Sequence, residues 1–247
     1  MKALNIKSAL MSIAFVAGLA TLTPAAMADS KDRIYQVTIS NAMLGQPVAP
    51  SVIATHTDAF SLFEVGPAPM EGDSDYEDYF ALAAMAETGY PFHVLDQVAM
   101  SAGVWDATVL ATSHTPPVLF PGETNTTTLS ASSSAKYLTA VGMLGMTNDA
   151  VYAVRGVMLP RGKGDIVRVS ASAYDAGSEA NAESAATIGA LGAMDDDPIS
   201  GSGINEGGEG YIHVHAGIHG VGGDDGLSPA AHDWRNPVVE VTIERIK

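Results

Sequence analysis

Ile166-Val167-Arg168-Val169-Ser170-Ala171 alternates apolar and polar side chains, the period of a strand with one buried face. Ile34-Tyr35-Gln36-Val37-Thr38-Ile39 repeats the pattern near the other end of the chain, before a turn at Gly45-Gln46-Pro47. Between and beyond them, short β-rich runs recur at 51–55 (ending at His56), 61–65, 108–112, 126–130 and 151–159, with the last strands at 211–214 and 238–246. Tyr137 to Met146 is apolar throughout, as a central strand would be. Residues 97–150 as a whole read as a run of strands. A single helix is expected near residues 74–88, where Ser74 or Asp75 can cap, acids fill the first turn and Gly89 stops it. Its Tyr79, Leu82 and Met85 share one face and read as core packing. Residues 176–210, rich in Gly, Ala, Ser and Asp, read as a long surface excursion. The expected fold is all-β: an antiparallel β-sandwich with one short helix and long surface loops.

The N-terminus reads as a secretory signal peptide. Lys2 and Lys7 precede an apolar stretch from Ala9 to Leu22, and Ala26-Met27-Ala28 is an A-x-A cleavage site. The apolar stretch is shorter than the ~20 residues a membrane span needs. Cleavage after Ala28 leaves residues 29–247 as one domain, periplasmic or secreted, and the style of the signal is bacterial. No later segment is apolar enough to insert in a membrane. The chain has no cysteine, so disulfides play no part and a packed core must supply stability.

The chain carries 12 Lys and Arg against 28 Asp and Glu, a net charge of −16. Residues 1–28 hold two of the lysines and no acid, so the mature value is (12 − 2) − 28 = −18. Such a surface repels nucleic acid and anionic lipid and suits hard cations. Solubility alone also accounts for most of these charges.

Three groupings have the composition of a site. Asp149 follows Thr147-Asn148 after the apolar strand, and Asp175 and Glu179 follow the strand at 165–174. If both strands leave the sheet at one end, three carboxylates converge, as Ca²⁺ requires; Asp and Gly are also ordinary turn residues. His213-Val214-His215 puts two imidazoles on one strand face, a pair suited to Cu²⁺ or Zn²⁺, with His56 or His232 as a further ligand and His219, on the following turn, as another candidate. The alternative is a set of histidines hydrogen-bonded in a polar loop layer. Asp195-Asp196-Asp197 and Gly222-Gly223-Asp224-Asp225-Gly226 resemble calcium-loop material without EF-hand spacing, and read better as solvated acidic loops. Nothing assembles an enzyme: there is no G-x-S-x-G, no cysteine nucleophile, no phosphate loop and no dinucleotide fingerprint.

Several segments together resemble the spondin N-terminal domain family in its bacterial branch. They include Tyr35-Gln36-Val37-Thr38-Ile39, Ala54-Thr55-His56, Leu62-Phe63-Glu64-Val65-Gly66, Thr147-Asn148-Asp149-Ala150, Gly156-Val157 with Leu159-Pro160, and His213-Val214-His215. The specific ones are Tyr174-Asp175-Ala176-Gly177-Ser178-Glu179-Ala180-Asn181 and Asp233-Trp234-Arg235-Asn236-Pro237-Val238 running into Val241-Thr242-Ile243. The segments run in the family's order over about residues 33–247. The resemblance implies an antiparallel β-sandwich of the eight-stranded type with a metal ion in loops at one end, and an extracellular adhesion or matrix-binding module. It carries the calcium pattern to Asp149, Asp175 and Glu179, where animal members usually have Asp in the last place. Animal members also have cysteines and thrombospondin repeats, absent from this sequence, so their cell-adhesion biology does not carry over. The expected function is a non-enzymatic, calcium-type metal-binding module whose acidic loops meet a protein or glycan ligand. The alternative is a copper- or zinc-binding protein or metalloenzyme using His213 and His215.

Overall fold

The computed structural model describes residues 32–191 and 207–247; residues 1–28, read as a signal peptide, and Asp195-Asp196-Asp197 lie outside the described residues. Ten strands follow one another in the chain: β1 (Arg33–Asn41), β2 (Ser51–His56), β3 (Gly66–Pro67), β4 (Val104–Leu110), β5 (Thr124–Ala131), β6 (Tyr137–Met143), β7 (Ala150–Met158), β8 (Ile166–Asp175), β9 (Tyr211–Val214) and β10 (Val239–Arg245). Helices α1 (Tyr76–Thr88) and α2 (Phe92–Met100) lie between β3 and β4, and the short α3 (Pro229–His232) precedes β10. The fold is therefore all-β, and every strand pair is antiparallel.

The strands form one continuous sheet in the order β4-β2-β6-β7-β8-β10-β1-β5, with β9 beside β8 and β3 beside β9. The sheet folds over and nearly closes. At the seam, Asp106 of β4 accepts the N–H (2.7 Å) and hydroxyl (2.9 Å) of Ser130 in β5. The Thr55 hydroxyl of β2 donates to the Ser130 carbonyl at 2.7 Å. Side-chain bonds thus protect edges that the backbone leaves open.

The main core lies inside the folded sheet. Tyr35, Val37 and Ile39 of β1 and Val239, Val241 and Ile243 of β10 meet Leu138, Ala140, Tyr152 and Leu129 there. The alternation read in residues 34–39 is the inward face of β1, and Ala171 and Ala173 are its counterparts in β8. A second core lies outside the β2–β6–β7 part of the sheet. Val52, Ala54, Val141, Val151 and Ala153 pack there against Leu82 and Met85 of α1 and Val94 and Val98 of α2. Strand β6 is covered on both faces, which is why its sequence is apolar throughout.

Helix α1 is the expected one. Gly89 ends it in the left-handed region (φ 72°), donating its N–H to the Met85 carbonyl. Asp75 is its N-cap residue, but its side chain makes no capping bond. Helix α2 corrects the single-helix expectation. Val94 and Val98, one turn apart, are its buried pair, and residues 97–100 are helix rather than strand. Residues 61–65 are not a strand either; the pairing falls one residue later, where Gly66 and Pro67 meet Ile212 and Tyr211. The segment after β8 is less superficial than its composition suggests, since Glu179, Glu183 and Ile188 are all buried.

Strand direction gives the fold two ends. The turn before β7, the end of β8 and the start of β10 lie at one end. The β5–β6 and β7–β8 turns, the start of β1 and the end of β10 lie at the other.

Candidate cation site

Asp149 closes the turn from β6 into β7. Thr147 makes that turn rigid, its hydroxyl donating to the Leu144 carbonyl (2.6 Å) and accepting the Ala150 N–H (3.1 Å). Ala150 pairs with Asp175, so the two aspartates sit at adjacent strand ends, as the sequence suggested. Asp149 Oδ2 accepts the Ser178 N–H (2.8 Å), the Ser178 hydroxyl (3.3 Å) and the Glu179 N–H (3.1 Å). Asp149 Oδ1 has no hydrogen-bond partner, although the residue is 0% exposed. Asp175 Oδ1 accepts the Gly177 N–H at 2.8 Å, and its Oδ2 accepts the Asn181 amide at 2.7 Å. The same amide nitrogen reaches Glu209 Oε1 at 3.2 Å.

Asp149, Asp175 and Glu209 each present an oxygen within 4.8 Å of the others, and among the described residues they are the one such group. Two of its members were legible in the sequence. The third differs: Glu209 occupies the place expected for Glu179, which instead donates its backbone N–H to Asp149. Glu209 stands two residues before β9, and the Gly210 N–H is bonded to the Gly177 carbonyl at 2.9 Å. Gly177 permits this close approach. Its φ is +69°, and a Cβ there would fall 2.4 Å from the Tyr211 carbonyl oxygen. The available signal was an acid flanked by glycines directly before a strand.

The electrostatics match the geometry. Burial, with the Asp175 charge second, raises the Asp149 carboxyl to about 7, against the opposing effect of the Glu179 and Ser178 N–H groups. Tyr79 of α1, whose hydroxyl donates to the Ala176 carbonyl at 3.3 Å, is pushed up to about 12 by burial and then by the Asp149 charge.

The two strand histidines flank the same carboxylate. His213 Nδ1 is 3.9 Å from Asp175 Oδ1, and His215 Nε2 is 3.7 Å from Asp175 Oδ2. A third histidine, His219, lies near enough for its charge to act on His215, with its Nδ1 3.8 Å from Glu183 Oε1. His56 lies at the far end of the sheet: it pairs with Tyr137, which pairs with Met158, eight residues along β7 from Ala150. At ~3.3 Å per residue that is roughly 26 Å away. Its own ring bonds to the Thr57 carbonyl and the Thr139 hydroxyl. His232 Nδ1 accepts the Ser228 N–H. His215 Nδ1 accepts the Gly217 N–H at 3.0 Å, so a neutral ring carries its proton on Nε2, directed at Asn181 Oδ1 (3.2 Å). Burial and His213 hold His215 down at about 4. Its bonded state therefore offers a metal no lone pair.

Glu183 was not anticipated. Its buried carboxylate accepts the N–H groups of His219 (2.7 Å), Gly220 (2.5 Å) and Val221 (3.0 Å), fastening the loop after β9. Its own N–H donates to Asn148 Oδ1, beside Asp149. Asp224 and Asp225 of that loop are exposed.

No family model and no curated protein matches the chain. The spondin resemblance rests on the quoted segments. Among the described residues no helix is long and apolar enough to cross a membrane.

Proposed function

We propose that this chain is an exported, non-enzymatic β-module of spondin type that binds a hard divalent cation, calcium, through Asp149, Asp175 and Glu209. The observation that carries the reading is Asp149 Oδ1: a fully buried carboxylate oxygen without a hydrogen-bond partner, among two further carboxylates. Burying charge in this way is costly unless a cation balances it. Three carboxylates, completed by carbonyls or water, are an oxygen donor set of the kind Ca²⁺ takes. The ion would neutralise the repulsion that raises Asp149 and tie the β6–β7 turn to the segment before β9. Export rests on residues 1–28, and the ligand met by the acidic loops is a protein or a glycan.

A copper or zinc role for His213 and His215 has less support. The Gly217 N–H occupies one nitrogen of His215, and His56, expected as a further ligand, lies at the far end of the sheet. Elemental analysis of protein purified from its native compartment tests the reading. Calcium at one ion per chain is expected; stoichiometric copper or zinc in its place would overturn it.

A further inference from the structure

The end of the sheet away from the carboxylates has the opposite character. Arg33, Lys136, Arg161, Lys163, Arg245 and Lys247 all lie at this end, at strand termini or in the turns between them. Three of them, Arg33, Lys136 and Arg161, line one cavity of about 350 Å³ together with Met158 and Leu159; no acid lines it. Among the described residues, the ion pairs made by basic side chains with carboxylates are those of histidines, so these three cations have no carboxylate partner. In a chain with 28 acids and 12 Lys and Arg, cations that converge without a counter-ion are an unusual placement.

The walls are held by backbone contacts. The Leu159 N–H donates to the Lys136 carbonyl at 2.8 Å, joining the β5–β6 and β7–β8 turns. The Tyr35 hydroxyl donates to the Pro160 carbonyl at 3.3 Å, and Arg33 Nη2 donates to the Ser132 carbonyl. The Arg33 guanidinium is thereby oriented with its remaining N–H groups available. The nearby acids are otherwise placed: Asp165 accepts the Gly162 N–H at 2.7 Å, Asp32 is buried, and Glu244 is on β10.

We propose that this cavity binds a phosphomonoester, with Arg33, Lys136 and Arg161 around the phosphate and Met158 and Leu159 against the body that carries it. Two guanidinium groups suit a tetrahedral oxyanion because each offers paired N–H donors. Met158, half exposed, gives the cavity an apolar side. The net charge of −16 opposes diffuse capture of polyanions, so binding depends on the cavity itself.

The test titrates the mature protein with glycerol 3-phosphate, following backbone amide shifts by NMR, and in parallel sediments it with vesicles of phosphatidylcholine with and without phosphatidic acid. Saturable shifts at Lys136, Leu159 and Arg161 are expected. Arg161→Gln and Lys136→Gln, both exposed positions, should each weaken binding about tenfold with an unchanged melting temperature. Lys163→Gln, in the same turn but outside the cavity, should leave binding unchanged. Binding of glycerol 3-phosphate identifies a soluble source of the phosphate. Binding of the phosphatidic acid vesicles alone, lost in Arg161→Gln, identifies a lipid headgroup. No binding in either arm, or equal weakening by Lys163→Gln and Arg161→Gln, would overturn the proposal.

Discussion

The Ser178 amide donates to Asp149 Oδ2 at 2.8 Å, across 29 residues of chain. This bond orients a carboxylate whose other oxygen is buried without a partner. Backbone amides fix one side of Asp149, and a cation is the natural complement of the other.

Neutralising Asp149 should therefore separate folding from cation binding. In chelator, Asp149→Asn should be at least as stable as the parent protein, because it removes a buried charge beside Asp175. In Ca²⁺ it should gain little. Thermal melts of both proteins in both buffers measure this; a variant much less stable than the parent in chelator would contradict it.

Glu209 and Glu179 can be told apart. Glu209→Gln, at an exposed position, should fold normally and weaken Ca²⁺ binding about tenfold or more. Glu179→Gln keeps the backbone N–H that reaches Asp149 and should weaken it less. Calorimetric Ca²⁺ titrations give the order, and the reverse order would return the third ligand to Glu179.

The dependence on pH has a defined sign. Asp149 is raised from 3.8 to about 7 in the folded protein, so its contribution to stability is greatest below about 4 and is lost as pH rises towards 7. His215 is lowered from 6.5 to about 4, so its contribution is present above 6.5 and is lost as pH falls to 4. The two oppose each other between about 4 and 6.5. In Asp149→Asn only the histidine contribution remains, so in chelator its melting temperature should climb with pH across that window more steeply than the parent's. Protons should also compete with Ca²⁺ at Asp149 as pH drops below about 7. Affinity that declines only near the ordinary carboxylate value of 3.8 would contradict the burial of Asp149.

Glu183 is expected to matter more for stability than its loop setting suggests. Glu183→Ala would leave three backbone N–H groups without their acceptor. The three amides belong to exposed residues, which water can partly satisfy, so the loss should be about 1–3 kcal/mol in all. Chemical denaturation measures it, and a loss below about 1 kcal/mol would show that water replaces the carboxylate.

Much of this arrangement was legible in the sequence because it depends on local pattern. Alternation at 34–39 and 166–171 fixed two inward faces, and Asp149 and Asp175 were recognisable as acids directly flanking strands. Glu209, Glu183 and α2 were not. Glu209 reaches the site only because Gly177 lets the chain pass under Tyr211, a long-range packing event without a local signature. Glu183 acts through amides 36 to 38 residues away. Helix α2 is nine residues long and shows only two buried valines, too little periodicity to outweigh the strands that follow. His56 was misplaced for a related reason: a strand-end position does not say which end of the sheet it occupies.

Thermal unfolding of residues 29–247 in excess Ca²⁺ and in chelator tests cation binding most directly. A ligand at a hundred times its Kd that binds only the folded state adds about 2.7 kcal/mol, or roughly 5–10 °C for a domain of this size. The expected result is a shift of that order in the parent protein, abolished in Asp175→Asn and retained in the His213→Ala, His215→Ala double variant. Coincident melting curves in the two buffers would contradict calcium binding at Asp149, Asp175 and Glu209.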